Sequence, residues 1–293
     1  MQASDSSADR APLSAAAVVD VGAAMGASMA VSPFILAIDK AIVESASGRT
    51  SLLRGIVSGV ASMLRRPHHA LLANPAYWMM VGVYGATYTA ANLIDTLSRR
   101  IGVGDAAHAT AKLFGTTAIN TSACIAKDVA FARMFGATSA AGGAMPRATI
   151  GLFGARDLLC VASAFTVPKP MAAGMASCGM EPSQAENAAQ FISPVAMQVF
   201  CAPLHLLGLN LYNMPVATLR QRAMAVAATA PQTMLAFSFR MAPAFGIGGV
   251  LNTSLSSQGH ELIRARFPSA APVTAGPLQS AALSPIESTQ RLR

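Results

Sequence analysis

The chain has 293 residues, 53% of them hydrophobic and only 12% charged, about half the charged fraction of an ordinary soluble domain, roughly 25%. That excludes a disordered chain and argues against a cytosolic enzyme. The charge is lopsided, 21 Lys and Arg against 13 Asp and Glu for a net of +8, but with 6% aromatics and basic residues placed singly or in pairs, the excess suits an anionic membrane surface and not nucleic acid.

A helix that crosses a bilayer needs roughly 20 mostly apolar residues, so uncharged gaps mark the expected elements. Residues 1–12 carry acids and no Arg-rich amphipathic stretch; they read as a disordered N-terminus, neither secretory signal nor transit peptide. Span one is the uncharged run 21–38, extended at its front by LSAAAVV, and span two lies in the uncharged run 67–94. Span three centres on 113–126 and reaches full length only by admitting Lys127 and Asp128. Span four, 145–168, carries Arg147, Arg156 and Asp157. Span five falls in 187–219 and span six in 241–260, both without a formal charge. Four prolines among Ser and Ala (Pro268, Pro272, Pro277, Pro285) mark 267–293 as a disordered tail.

These runs are too long for strands and do not alternate. Their Ala, Gly, Met, Ser and Thr content suits close helix packing within a bilayer. The expected fold is all-α, an integral membrane bundle of six transmembrane helices. The odd-numbered connections hold nine basic residues (Arg49, Arg54, Arg65, Arg66, Arg133, Arg147, Arg220, Arg222 and Arg240) against the single acid Glu44. The positive-inside rule places those connections on the negative side, with both termini opposite.

Two patterns repeat in alternating order. Gly pairs three apart stand at Gly82 and Gly85, Gly151 and Gly154, and Gly246 and Gly249, each with a proline upstream (Pro75, Pro146, Pro243). In the odd spans a small residue precedes Pro33, Ser122 and Pro203 by seven positions, and a polar group follows: Asp39-Lys40, Lys127-Asp128, Asn210. Three degenerate helix-pair repeats are implied, at about 13–100, 101–168 and 187–266 of a membrane domain covering 13–266.

GAAMGASMAVSPFILAIDK, SLLRGIVSGVASMLRRPHHALLANPAY and FRMAPAFGIGGVLN resemble a first helix, an amphipathic helix with its return, and the start of a sixth helix in the mitochondrial carrier family. PLHLLGLNLYN and RMAPAFGIGGVLN also look like an uncharacterised, carrier-related family of fungi and other eukaryotes. The resemblance spans about residues 14–265. It implies a three-repeat, six-helix solute carrier of the mitochondrial inner membrane. The family's Pro-x-Asp/Glu-x-x-Lys/Arg motif is degenerate here: the copies begin at Pro33, Ser122 and Pro203, and only Lys127 holds an expected charge. A ring of three ion pairs cannot form at those positions; Asp39, Lys40, Lys127 and Asp128 would make a smaller network. The second repeat also leaves no room for an amphipathic helix between its two spans.

Ionisable groups within spans are expensive and face the bundle interior or a wet cavity. Lys127, Asp128, Arg156, Asp157 and His205 are therefore the candidate solute-binding residues. Adjacent helical residues point about 100° apart, so each charge is expected to find its partner on another helix, as a solute site or as a structural ion pair. Thr87, Asn92, Asn120, Asn210 and Asn252 either line a cavity or bond between helices. His68-His69 beside Arg65-Arg66 suits a lipid headgroup. No catalytic or dinucleotide motif occurs, and neither cofactor nor metal is expected. The expected partners are membrane lipid and a small anionic solute, drawn by a net positive interior, or else a larger membrane complex in which the chain is a non-transporting structural subunit.

Overall fold

In a computed structural model, residues 12–137, 144–241, 244 and 247–267 are described. The regions read as disordered tails therefore lie outside the described residues except for Pro12 and Phe267, as do Pro243 and Gly246 of the repeated motif. The fold is all-α. Among the described residues ten α-helices follow in order: α1 (Leu13–Ala46), α2 (Leu52–Arg65), α3 (Pro75–Ile101), α4 (Asp105–Phe135), α5 (Arg147–Phe165), α6 (Pro168–Ser177), α7 (Pro182–Ala196), α8 (Gln198–Asn213), α9 (Leu219–Met241) and α10 (Gly248–Arg266), with a π-helical turn at His68–Leu72.

Local chemistry sets several boundaries. Pro75 opens α3, where its missing N–H costs nothing, and the Asn74 side chain accepts the Ala76 amide at 3.0 Å. Gly102 ends α3 in the left-handed region, φ 68°, a conformation that glycine adopts without a Cβ clash. Glu181 caps α7 by accepting the Gln184 amide at 3.0 Å. The Ser183 hydroxyl and that amide hold its carboxyl below the usual range.

Length and apolarity pick out two helices able to cross a membrane by themselves: α1, with 34 residues, and Pro182–Asn213, with 32. A third arises if Arg147–Ser163 and Pro168–Ser177, which meet at 46°, count as one broken span. The expected count of six exceeds this because Tyr, Thr and Asn residues lower the hydropathy of α3 and α4, α4 also carries Lys127 and Asp128, and α10 is largely polar. The span expected within 187–219 corresponds to Pro182–Asn213, in which α7 and α8 meet at Met197, with Pro194 just before it. One further expectation is corrected. The stretch 220–240 is not a polar connection but most of α9, a 23-residue helix that buries Ala230, Thr233, Phe237 and Arg240 along one stripe. The threefold repeat is not reproduced in this order of elements.

The main core joins Val31, Ile35 and Leu36 of α1 to Met80 and Val81 of α3, Phe131 of α4, Phe153 of α5, Leu209 of α8 and Phe237 of α9. Glycines allow the close crossings. A Cβ at Gly55 of α2 would stand 2.9 Å from the Ala41 Cβ of α1, and one at Gly208 of α8 would stand 2.8 Å from the Phe153 ring. Of the predicted Gly pairs, Gly85 abuts Met25 and Ser28 of α1 and Gly154 abuts Ile125, but Gly82 and Gly151 face open space.

Two buried polar layers cross this core, about 28 Å apart along α1 at 1.5 Å per residue. In one, Thr96 of α3 donates to Asp20 Oδ2 at 2.6 Å, and Asp20 Oδ1 lies 2.8 Å from His260 Nε2 and accepts from Ser256 at 3.3 Å, both on α10. Asn92 and Asn252 pair there through both amides, at 3.0 and 2.8 Å. The other layer surrounds Asp39.

Candidate solute-binding site

Asp39 on α1 sits between two cations. Its Oδ2 accepts from Lys127 Nζ of α4 at 2.7 Å and its Oδ1 from Arg240 Nη1 of α9 at 2.8 Å. Lys127 Nζ is also 2.6 Å from Asp128 Oδ1. Asp128 Oδ2 accepts in turn from Arg156 Nη2 of α5, whose guanidinium lies 3.3 Å from Asp157 Oδ1. The result is one alternating chain: Arg240, Asp39, Lys127, Asp128, Arg156, Asp157. Each link brings opposite charges together, which is how buried charge survives. The adjacent residues therefore do pair within their own helices as well as across them, against expectation. Flexible side chains close the 100° between neighbouring backbone positions.

Aromatic faces shield two of the three cations. The Arg240 guanidinium lies 4.6 Å from the Phe237 ring centroid and Lys127 Nζ 5.3 Å from that of Phe131, both cation–π geometry. His205 of α8 is packed between Phe153 and Phe237, ring centroids 5.1 and 5.4 Å away. Its Nδ1 stands 4.0 Å from Asp128 and makes no hydrogen bond.

The charge chain forms part of the wall of a cavity of about 1120 Å³. Lys127, Arg156, Asp157 and Arg240 line it; the rest of the wall comes from α3 (Tyr84, Thr87, Tyr88), α4 (Thr116, Thr117, Asn120, Cys124), α5 (Cys160), α7 (Gln190, Phe191, Pro194), α9 (Ser238) and α10 (Leu251, Ser254). Thr87 donates to Asn120 at 3.2 Å across the α3–α4 wall. Cys160 Sγ lies 3.5 Å from Cys201 Sγ, joining α5 to α8 behind the wall. Three residues of the cavity lining hold a buried polar atom without a hydrogen-bond partner: Arg156 Nε, Asp157 Oδ2 and Thr117 Oγ1. A buried polar atom left unpaired is costly.

The five residues expected from sequence thus meet in one cluster, but only Lys127, Arg156 and Asp157 reach the cavity; Asp128 and His205 stand behind them. Asp39 and Arg240 complete the cluster. The cluster as a whole holds three acids and three bases, while the cavity lining carries Lys127, Arg156 and Arg240 against Asp157. Of the other polar residues, Asn92 and Asn252 bond to each other in the Asp20 layer. Asn210 accepts from Arg222 of α9, through its carbonyl at 3.1 Å and its side chain at 2.9 Å, and the same carbonyl accepts the Met214 amide at 2.9 Å at the end of α8. His68 and His69 are exposed in the π-helical turn.

Residues 23–259 match the family described as a probable citrulline exporter. The chain belongs to this family. The match takes in the whole charge chain and all of the cavity lining, and it corrects the resemblance to mitochondrial carriers: the phrases that suggested a carrier belong to a different family with its own apolar, glycine-rich helices. Comparison with curated proteins gave no match. Membership of an exporter family and long apolar helices fit a membrane transporter and not an enzyme. Neither observation points to the mitochondrial inner membrane.

Proposed function

We propose that the chain is a membrane exporter of a small zwitterionic amino acid, with citrulline as the first candidate from the family's description, and that the solute binds in the cavity at Arg156 and Asp157. The observation that carries this reading is the pair of unpartnered atoms of opposite character on neighbouring residues: a guanidinium N–H of Arg156 and a carboxylate oxygen of Asp157, both buried in the cavity wall. An α-carboxylate suits the first and an α-ammonium the second. The charge balance of the whole cluster, with Asp39 and Asp128 behind the wall, suits a solute of no net charge in place of the anion expected from sequence. Thr87, Thr117, Asn120 and Gln190 offer donors and acceptors to an uncharged polar side chain such as a ureido group.

The test is flux of radiolabelled citrulline in proteoliposomes holding the purified full chain. Saturable flux is expected, inhibited by unlabelled neutral amino acids and not by dicarboxylates. Arg156→Gln or Asp157→Asn should weaken half-saturation roughly 10- to 100-fold, the loss of one charge-assisted hydrogen bond of about 1.5–3 kcal/mol. No flux, together with stoichiometric co-migration in a larger membrane assembly, would instead support the structural-subunit reading.

A further inference from the structure

Moving a solute out against its gradient needs a driving ion, and the cavity wall holds one group built to exchange a proton. Asp157 is 3% exposed. Its Oδ1 faces Arg156 at 3.3 Å, and its Oδ2 is buried in the wall with no partner. It is the last member of the alternating chain, and this position sets it apart from the other two acids. Asp39 is bound on both sides by Arg240 and Lys127, and Asp128 on both sides by Lys127 and Arg156. Neutralising Asp39 leaves Arg240 without a partner, and neutralising Asp128 takes a contact from both Lys127 and Arg156. Neutralising Asp157 strands none, because Arg156 keeps Asp128. A proton can therefore come and go at Asp157 while every other charge remains paired.

The surroundings are consistent with one exchangeable proton. The charged and titratable groups around Asp157 are Arg156 and Cys160 on α5, Cys124, Lys127 and Asp128 on α4, Tyr84 on α3, Arg240 on α9, and, behind the wall, His205 on α8 and Asp39 on α1. Lys127, Arg240, Asp39 and Asp128 are committed to one another, and α7 and α10 bring Gln190 and Ser254, which do not titrate. One free carboxylate oxygen in a low-dielectric wall holds one cation at a time, because two would repel with little screening.

We propose that Asp157 Oδ2 is a shared site for the solute's ammonium group and for a proton, so that each amino acid exported is exchanged for one proton. This rests on the reading of the cavity as the solute site. In the exchange, the ammonium leaves Oδ2 on the outer side and a proton from hydronium takes its place, giving a neutral carboxyl group. On the inner side the proton returns to water as the next ammonium binds. The solute is a zwitterion, so each cycle carries one positive charge inward.

The experiment uses proteoliposomes of the full chain, loaded with citrulline and an internal pH indicator, with the membrane potential clamped by potassium and valinomycin. External acidification should accelerate citrulline efflux several-fold, and citrulline efflux should in turn drive measurable internal acidification. On the side that releases solute, lowering pH should weaken apparent citrulline affinity by roughly tenfold per unit once the site protonates. Asp157→Asn should abolish the response of any remaining flux to the pH gradient, whereas Asp157→Glu should retain it. Citrulline flux in the unaltered protein without proton movement, and indifferent to the pH gradient, overturns the coupling and leaves the export reading standing. Absence of citrulline flux under every gradient overturns the export reading and the coupling with it.

Discussion

Asp39 and Arg240 lie 201 positions apart in the chain and meet at 2.8 Å. Removing one member of a buried pair leaves a stranded charge, at a cost of about 3–5 kcal/mol, whereas removing both is much better tolerated. Asp39→Asn should therefore lower the unfolding temperature in detergent markedly, and Arg240→Gln in the same protein should recover part of the loss. A double-mutant cycle by thermal unfolding should give a coupling above about 1 kcal/mol; additive effects would show that the pair does not form. Asp39, Lys127, Asp128, Arg156, Asp157 and His205 were legible in the sequence because an ionisable group in an apolar run stands out. Arg240 was not, because it sits at the edge of the uncharged run 241–260 and reads as a connection residue. The missing signal was the unmatched acid: Asp39 has two oxygens to satisfy, and Lys127 reaches only one.

Among the helices, the crossing of α2 over α1 depends on missing side-chain volume. A Cβ at Gly55 would come within 2.9 Å of Ala41 Cβ and 3.3 Å of its Cα, whereas one at Gly59 would meet Ala37 at an ordinary 3.6 Å. Gly55→Val should destabilise by about 1–3 kcal/mol through overpacking, while Gly59→Ala should be neutral or slightly stabilising. Paired melting curves in the same detergent check this, and equal effects would refute the close crossing. That α2 is a basic amphipathic helix returning to α3 was legible from its sequence. The helical nature of α9 was not, since Arg220, Arg222 and Arg240 resemble loop charges. Only the packed structure shows that Arg222 closes the end of α8 and that Arg240 points into the core.

For the molecule as a whole, net +8 reads as topology, although Arg240 must be subtracted from the connection charges that support it. α3 has 27 residues, about 40 Å of helix against a hydrocarbon core of about 30 Å, so its two ends should lie on opposite faces of the membrane. Cysteines introduced singly at Ser51 and Gly104 in a background lacking the native thiols should react with an impermeant maleimide from opposite sides, Ser51 from the side that carries Arg49, Arg54, Arg65 and Arg66. Labelling of both from one side would remove α3 from the list of spans. The count of spans was the least legible property, because helices that line a charged cavity lose the apolarity by which spans are recognised. The separation of the ion partners also bears on biogenesis. A chain emerging from the ribosome presents α1 first, 88 residues ahead of Lys127 and 201 ahead of Arg240. Until Lys127 emerges Asp39 has no native counter-charge, and until Arg240 follows one of its oxygens stays unmatched; a carboxylate left open within a nascent bundle is a mark that quality-control machinery can read. Only the arrival of α9, in the last quarter of the chain, seals it, so chains truncated before Arg240 should be degraded as unfinished products even though most of their helices are present.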